Sequence, residues 1–236
     1  MALRSRDEAK PVSVFSGRHD RRKVTDWVYE ELKSAIVDLR LSPGDPLREA
    51  TLADQLGVSK TPIREALTRL EQEGLVETTS FKGAVVTGYS RHDLLEIYEL
   101  RELLESTAAR TAADSMSDAD RDRLDRICRE SRALKKSHDA AGLAALISAF
   151  DDVLFEQVRN SRIRALIENL RAHLTRIGHL TAEIPGRVEA AVDEHERIVQ
   201  AIAARDPELA ERQMRAHIRS VRDDQLRALG GEVGEP

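Results

Sequence analysis

Two histidines set at helical spacing, with a carboxylate in reach of them, are the side chains with the most evident chemistry. In the stretch 186–204 apolar residues recur as Val188, Ala191, Val192, Val199 and Ile202, and His195 lies inside the same stripe. In 207–229 the stripe is Ala210, Met214 and Val221, with His217 inside it. A helix buries one stripe, so a polar residue within it must be hydrogen-bonded or used. Asp206-Pro207 breaks the chain between the two stretches, about ten residues from each histidine. In an antiparallel hairpin both imidazoles then stand ~15 Å from the turn and face one another. The stripe Leu143, Ile147, Phe150, Leu154, Val158 of the stretch 140–159 carries Asp151 inward. Asp151, His195 and His217 together form a two-histidine, one-carboxylate set, a common donor set for a first-row divalent metal.

Three more polar residues sit on inward stripes. Arg101 lies among Leu94, Ile97, Leu104 and Ala108. A buried guanidinium without a partner is costly, so Arg101 either captures an anionic ligand or pairs internally with Glu105 or Asp151. His173 falls with Leu166, Leu170, Ile177 and Leu180, and Arg176 lies close to that face. Arg101, His173 and Arg176 are therefore the candidate effector contacts, His173 having a hydrogen-bonded core role as its alternative. His19, His92, His138 and His179 show no inward pattern, and Cys128 reads as a small core residue near Leu124 and Leu134.

The other chemistry is at the front of the chain. Residues 46–74 hold two short helical patterns, Glu49 to Leu56 and a second opening at Ser59–Thr61, separated by Gly57-Val58. Ser59 or Thr61 can cap the second helix, and Pro62 suits its first turn. This is a helix-turn-helix, and its second helix points Lys60, Thr61 and Arg64 outward where a recognition helix meets base edges and phosphates. Leu75–Thr79 and Ala84–Thr87 read as two strands around Ser80–Gly83, a hairpin wing with Lys82 at its tip and Gly83 allowing the turn. Arg48 adds charge beside the first of the two helices.

VSKTPIREALTRLEQEGLVE, preceded by LSPGDPLREATLADQLG and followed by KGAVVT, resembles the winged-helix DNA-binding domain of the GntR family of bacterial transcription regulators. YELRELLESTAARTAA, FDDVLFEQVRNSRI and EHERIVQAIAARDPELAERQMRAHI resemble the ligand-binding FCD domain of one branch of that family. The resemblance implies DNA contacts at Ser59, Lys60, Thr61 and Arg64, and a wing tip at Gly83. Lys60 stands where the family usually has arginine; it keeps the charge and loses the bidentate fork. Many members hold a divalent metal, most often zinc, on one aspartate and three histidines, with the effector's carboxylate completing the site. His195 and His217 fall on the last two histidines, Asp151 where the first stands, and Ile147 where the aspartate stands.

The elements that must position these residues follow from pattern and composition. Aromatics make up 3% of the 236 residues, while Ala, Leu, Arg, Glu and Asp abound, which suits a mostly helical protein. The first helix is expected over Lys23–Leu39, and six further helices over 91–114, 118–136, 140–159, 161–182, 186–204 and 207–229. The expected architecture is mostly α: a disordered lead (1–22), a winged helix-turn-helix (23–88), an antiparallel six-helix bundle for effector binding and dimerisation (89–230), and a tail (231–236). The net charge of −5 excludes a protein that coats nucleic acid indiscriminately, since the first 88 residues balance at 14 basic and 14 acidic side chains. No apolar run reaches the ~18 residues of a membrane span, no signal peptide is recognisable, and the single cysteine fits a reducing cytoplasm.

The reading is a transcription regulator, a repressor, binding a palindromic double-stranded operator as a homodimer. A small carboxylate held in the bundle, through a divalent metal or without one, would set its operator affinity. The alternative is a metal-dependent enzyme acting on a small organic acid, in which the two histidines and Asp151 activate water. That alternative has no evident general base, and it leaves the winged helix without a purpose.

Overall fold

The computed structural model describes residues 19–79, 83–137, 139–180 and 184–230. Lys82 and His138, the tail from 231 onward, and all but residues 19–22 of the expected lead lie outside them. The described chain forms two compact units, one holding residues up to 36 and 40–87, the other 37–39 and the chain from 88 onward.

In the first unit α1 (His19–Val37) starts four residues before its expected first residue, so 19–22 are helical rather than part of a disordered lead. Polarity does not stop a helix from extending outward once its later turns are packed, and no Gly or Pro lies between His19 and Val37. Val28, Leu32 and Ile36 are buried along one side of it. Next come α2 (Glu49–Leu56) and α3 (Lys60–Gln72). Gly57 between them adopts φ 65°, ψ 31°, a left-handed conformation in which a side chain would be strained. Ile63, Ala66, Leu67 and Leu70 form the buried stripe of α3. The strands β1 (Val76–Thr79) and β2 (Gly83–Val86) pair antiparallel, with Val76 opposite Val86 and Thr79 opposite Gly83. Buried Val76, Val85 and Val86 seal this wing onto the helices.

The second unit is α4 (Arg91–Ser115), α5 (Asp118–Ser137), α6 (Ala140–Glu156), α7 (Ser161–Leu180), α8 (Arg187–Ala203) and α9 (Pro207–Gly230). Ser90 and Asp93 form a reciprocal capping box that starts α4, and Asp139 caps α6 by accepting from Gly142 N at 2.9 Å. Helix α6 ends at Glu156, short of the expected 159. Asn160 Oδ1 accepts from Arg162 N at 2.9 Å, so the chain leaves one helix in order to cap the next. Helix α4 packs most extensively along α9, α9 against α8, and α5 against both α6 and α8. Tyr98, Phe150, Leu154, Ile198, Ile202, Met214 and Ile218 meet in the main core. One inward assignment on α7 is corrected. Leu166 is 52% exposed and its neighbour Ile167 is 5% exposed, because the helix turns its buried stripe by one position to reach Ala108 and Val158.

Candidate functional site

The exposed face of α3 and the buried pair of histidines are separate sites, one in each unit. At the start of α3, Ser59 occupies the cap position with extended backbone, yet its side chain makes no capping hydrogen bond. Ser59, Lys60, Thr61, Arg64, Arg48 and Gly83 are all exposed, and Gly83 adopts φ 72° at the wing. Arg64 is not simply a free cation. Its Nε donates to Glu49 Oε1 at 3.0 Å and its Nη2 to Glu49 Oε2 at 2.8 Å, a two-point pair between α3 and the first residue of α2. That hydrogen bonding, with Lys60 adding its field, holds the Glu49 carboxyl below its ordinary range.

In the bundle, His195 and His217 face one another as the hairpin spacing requires, with ring centroids 4.8 Å apart at 62°. Both are buried, at 5% and 4% exposure. Phe150 of α6 stacks on His195 at 3.9 Å and 12°. His217 Nδ1 lies 2.6 Å from Glu194 Oε2. Despite burial, hydrogen bonds from His217 and Arg187 hold the Glu194 carboxyl down at about 2. An ionised carboxylate only accepts, so His217 carries its hydrogen on Nδ1 and keeps a bare lone pair on Nε2. Burial, helped by each other's presence and by Arg101, holds His195 well below the ordinary imidazole range. His217 is also lowered, against the pull of Glu194. Burial thus biases both imidazoles toward the neutral form. Arg187 braces the arrangement by pairing with Glu194 and with Asp224 at 2.8 Å while donating to Ser220 Oγ at 2.9 Å.

Arg101 takes the internal partner that the sequence left as an option: its Nε donates to Glu105 Oε1 at 2.5 Å. Burial opposes its charge, but Glu105, Tyr98 and Asp151 keep the guanidinium above its ordinary range. Burial and the neighbouring Glu105 push the Asp151 carboxyl up to about 7, against Arg101. Two buried polar atoms here have no hydrogen-bond partner, His195 Nε2 and Glu105 Oε2. His173 and Arg176 form a second group around Tyr89, whose hydroxyl lies 2.8 Å from His173 Nδ1 and whose ring lies 5.0 Å from the Arg176 guanidinium. Arg176 is wholly buried. A cavity of about 490 Å³ lies between α6 and α7, lined by Asp152, Phe155, Arg164, Ile167, Glu168 and Arg171, and not at the imidazoles.

The described sequence matches two family models. The gntR family of bacterial regulatory proteins covers residues 25–86, and the FCD domain covers residues 96–220. This chain belongs to the GntR family and carries its FCD domain. An HTH-type transcriptional regulator of Streptomyces ambofaciens is 30% identical over 221 residues, spanning 92% of this chain and 91% of the relative. The probable D-xylose utilization operon transcriptional repressor of Paenarthrobacter nicotinovorans is 29% identical over 211 residues, spanning 88% and 91%. Escherichia coli McbR/YncC shares the fold, with a TM-score of 0.70 at 22% identity over 87% of this chain and 98% of that protein. The protein is a GntR-family transcription regulator, and among its described residues no helix is long and apolar enough to cross a membrane.

The metal set expected within this GntR-FCD chain does not assemble. Two neutral imidazoles suit a divalent ion, but among the described residues no three His, Cys, Asp or Glu side chains form a group able to hold one. Asp151, expected as the third ligand, is instead tied electrostatically to Arg101 and Glu105. Ile147, at the family's aspartate position, has no donor atom. Sequence reasoning missed Glu194 and Arg187 because charged residues on a helix ordinarily mark its solvent face. The signal available was that Glu194 adjoins His195 and lies about two turns beyond Arg187, on the same face of α8.

Proposed function

We propose that this regulator binds its operator through the exposed face of α3 and the wing, and that a small organic acid held in the bundle changes operator affinity. What supports the effector half is the pair of buried, partnerless atoms, His195 Nε2 and Glu105 Oε2, beside the Arg101 guanidinium. Leaving such atoms without partners is costly unless a ligand completes them. Glu105 takes Nε of Arg101, and in this reading the carboxylate of the ligand meets the Nη end. Glu105 Oε2 accepts but cannot donate, so it requires a donor on the ligand. A carboxylate together with a hydroxyl meets both demands, which favours hydroxy acids and sugar acids over simple fatty acids. The set supplies this without a metal ion.

The ligand need bind only one of two arrangements better in order to shift the population that grips DNA. We further propose a homodimer, since one winged helix reads only a few base pairs and a palindromic site needs two. Leu95, Leu100 and Leu103 on the outward arc of α4 are 40%, 49% and 52% exposed and offer the apolar surface for a second copy. Screening hydroxy acids and sugar acids by thermal shift, then retesting each stabilising acid in an operator gel-shift titration, tests the reading. An acid that stabilises the protein and changes operator affinity supports it. If no such acid stabilises the protein, the effector reading fails.

A further inference from the structure

The contact between Glu49 and Arg64 bears on how the head distinguishes sequences, and it rests on the proposal that α3 faces DNA. The pair joins the first residue of α2 to the second turn of α3, with both carboxylate oxygens engaged. Arg64 remains 67% exposed and Glu49 34% exposed, so the pair is no part of the core. An exposed ion pair contributes little to stability, so its two-point geometry calls for another explanation. The carboxylate approaches side-on, taking Nε and Nη2. That leaves the opposite end of the guanidinium, Nη1 together with the outer hydrogen of Nη2, facing away with two parallel donors. Two parallel donors match the O6 and N7 acceptors on the major-groove edge of guanine. Glu49 also sets a negative charge beside Arg64 and Lys60, which disfavours a simple phosphate contact.

We propose that Glu49 is a positioning residue for base readout: gripping Arg64 side-on, it presents the arginine's free end to a guanine edge and turns a phosphate-seeking cation into a reader. The gain is pre-organisation, because a long exposed side chain otherwise has to be ordered at the moment of binding.

The experiment uses the full-length protein and two probes, a duplex selected by the wild type from a random pool and a mixed-sequence duplex of the same length. Glu49→Gln keeps shape and folding, checked by its melting curve, while removing the charge that grips Arg64. Affinity for the selected duplex is expected to fall by about three- to tenfold, while affinity for the mixed duplex stays level or rises. In an Arg64→Ala background the same substitution should leave the ratio of the two affinities unchanged. A merely structural role for Glu49 would lower both affinities together, and that result overturns the proposal. Tighter binding of the selected duplex by Glu49→Gln also overturns it, since Glu49 would then be masking Arg64. If Arg64→Ala alone has no effect on the selected duplex, the failure lies earlier, in the assignment of α3 to DNA.

Discussion

Two arginine–glutamate pairs of the same chemistry sit in opposite surroundings in this protein. In the head, Arg64 pairs with Glu49 while remaining 67% exposed; in the bundle, Arg101 pairs with Glu105 at 2.5 Å with side chains only 11% and 4% exposed. Water screens the first pair, so it sets geometry more than it sets stability. The second pair is desolvated, so each member depends on the other and an unmatched oxygen there is expensive. The head thus displays its paired charges to solvent, and the bundle holds its paired charges out of water. On the function proposed above, reading and sensing call for these two opposite treatments of the same residue types.

The largest effect that would sharpen this contrast comes from the bundle. Arg187→Ala leaves Glu194 and Asp224 without their shared cation in a site where the Arg187 and Glu194 side chains are 10% and 11% exposed. A loss of about 3 kcal/mol in unfolding free energy is expected from denaturant titration. A change below about 0.5 kcal/mol would mean the network is better solvated than its burial indicates. Arg64→Ala should do the reverse, leaving the melting curve essentially unchanged while weakening operator binding by about ten- to a hundredfold and relaxing its sequence preference. Unchanged operator affinity in a gel-shift titration across salt concentrations would remove α3 from the interface.

Smaller effects probe the edges of the comparison. Burial, with Glu196 and Asp125 nearby, pushes the Cys128 thiol up to about 12, so it should resist alkylation at pH 8 in the folded protein and react once denaturant is added. Rapid labelling of the native protein would show that α5 opens readily. Glu102, gripped first by Arg219 and also by Arg215, has its carboxyl held below the ordinary 4.5. A depressed carboxylate contributes stability that is present above its unfolded value and lost as pH falls through its folded one. Glu102→Gln should therefore flatten part of the acid-side loss of stability below about pH 4.5, modestly and in a salt-sensitive way. An identical pH–stability profile in the mutant would show that this link between α4 and α9 carries no net energy.

How much of this was legible beforehand differs between the two regions for a physical reason. The head was readable because its devices are local: Gly57 at the turn, Pro62 in the first turn of α3, and apolar residues at helical spacing all act within a few residues. The facing of His195 and His217 was readable too, since equal distances from one hairpin turn fix their height. What escaped depends on contacts across helices. Glu49 and Arg64 are fifteen residues apart, and nothing in either helix alone announces their pairing. Glu194 looked like a surface charge until Arg187 and His217 were seen to close around it. For Asp151 the choice between metal ligand and neighbour of Arg101 and Glu105 depends on which side chains other helices bring to it, and periodicity carries no such information. Leu166 shows the same limit in an apolar residue, where a shift of one position decides between core and surface.

In the proposed regulator a small acid completing the buried set at His195, Glu105 and Arg101 governs what the head binds. Its most direct test is operator affinity measured with and without the stabilising hydroxy acid, in the wild type and in His195→Ala with His217→Ala. The wild type should shift its operator affinity by about fivefold or more on adding the acid, and the double variant should bind unliganded operator as the wild type does yet show no shift. A double variant that still responds fully to the acid would contradict the account.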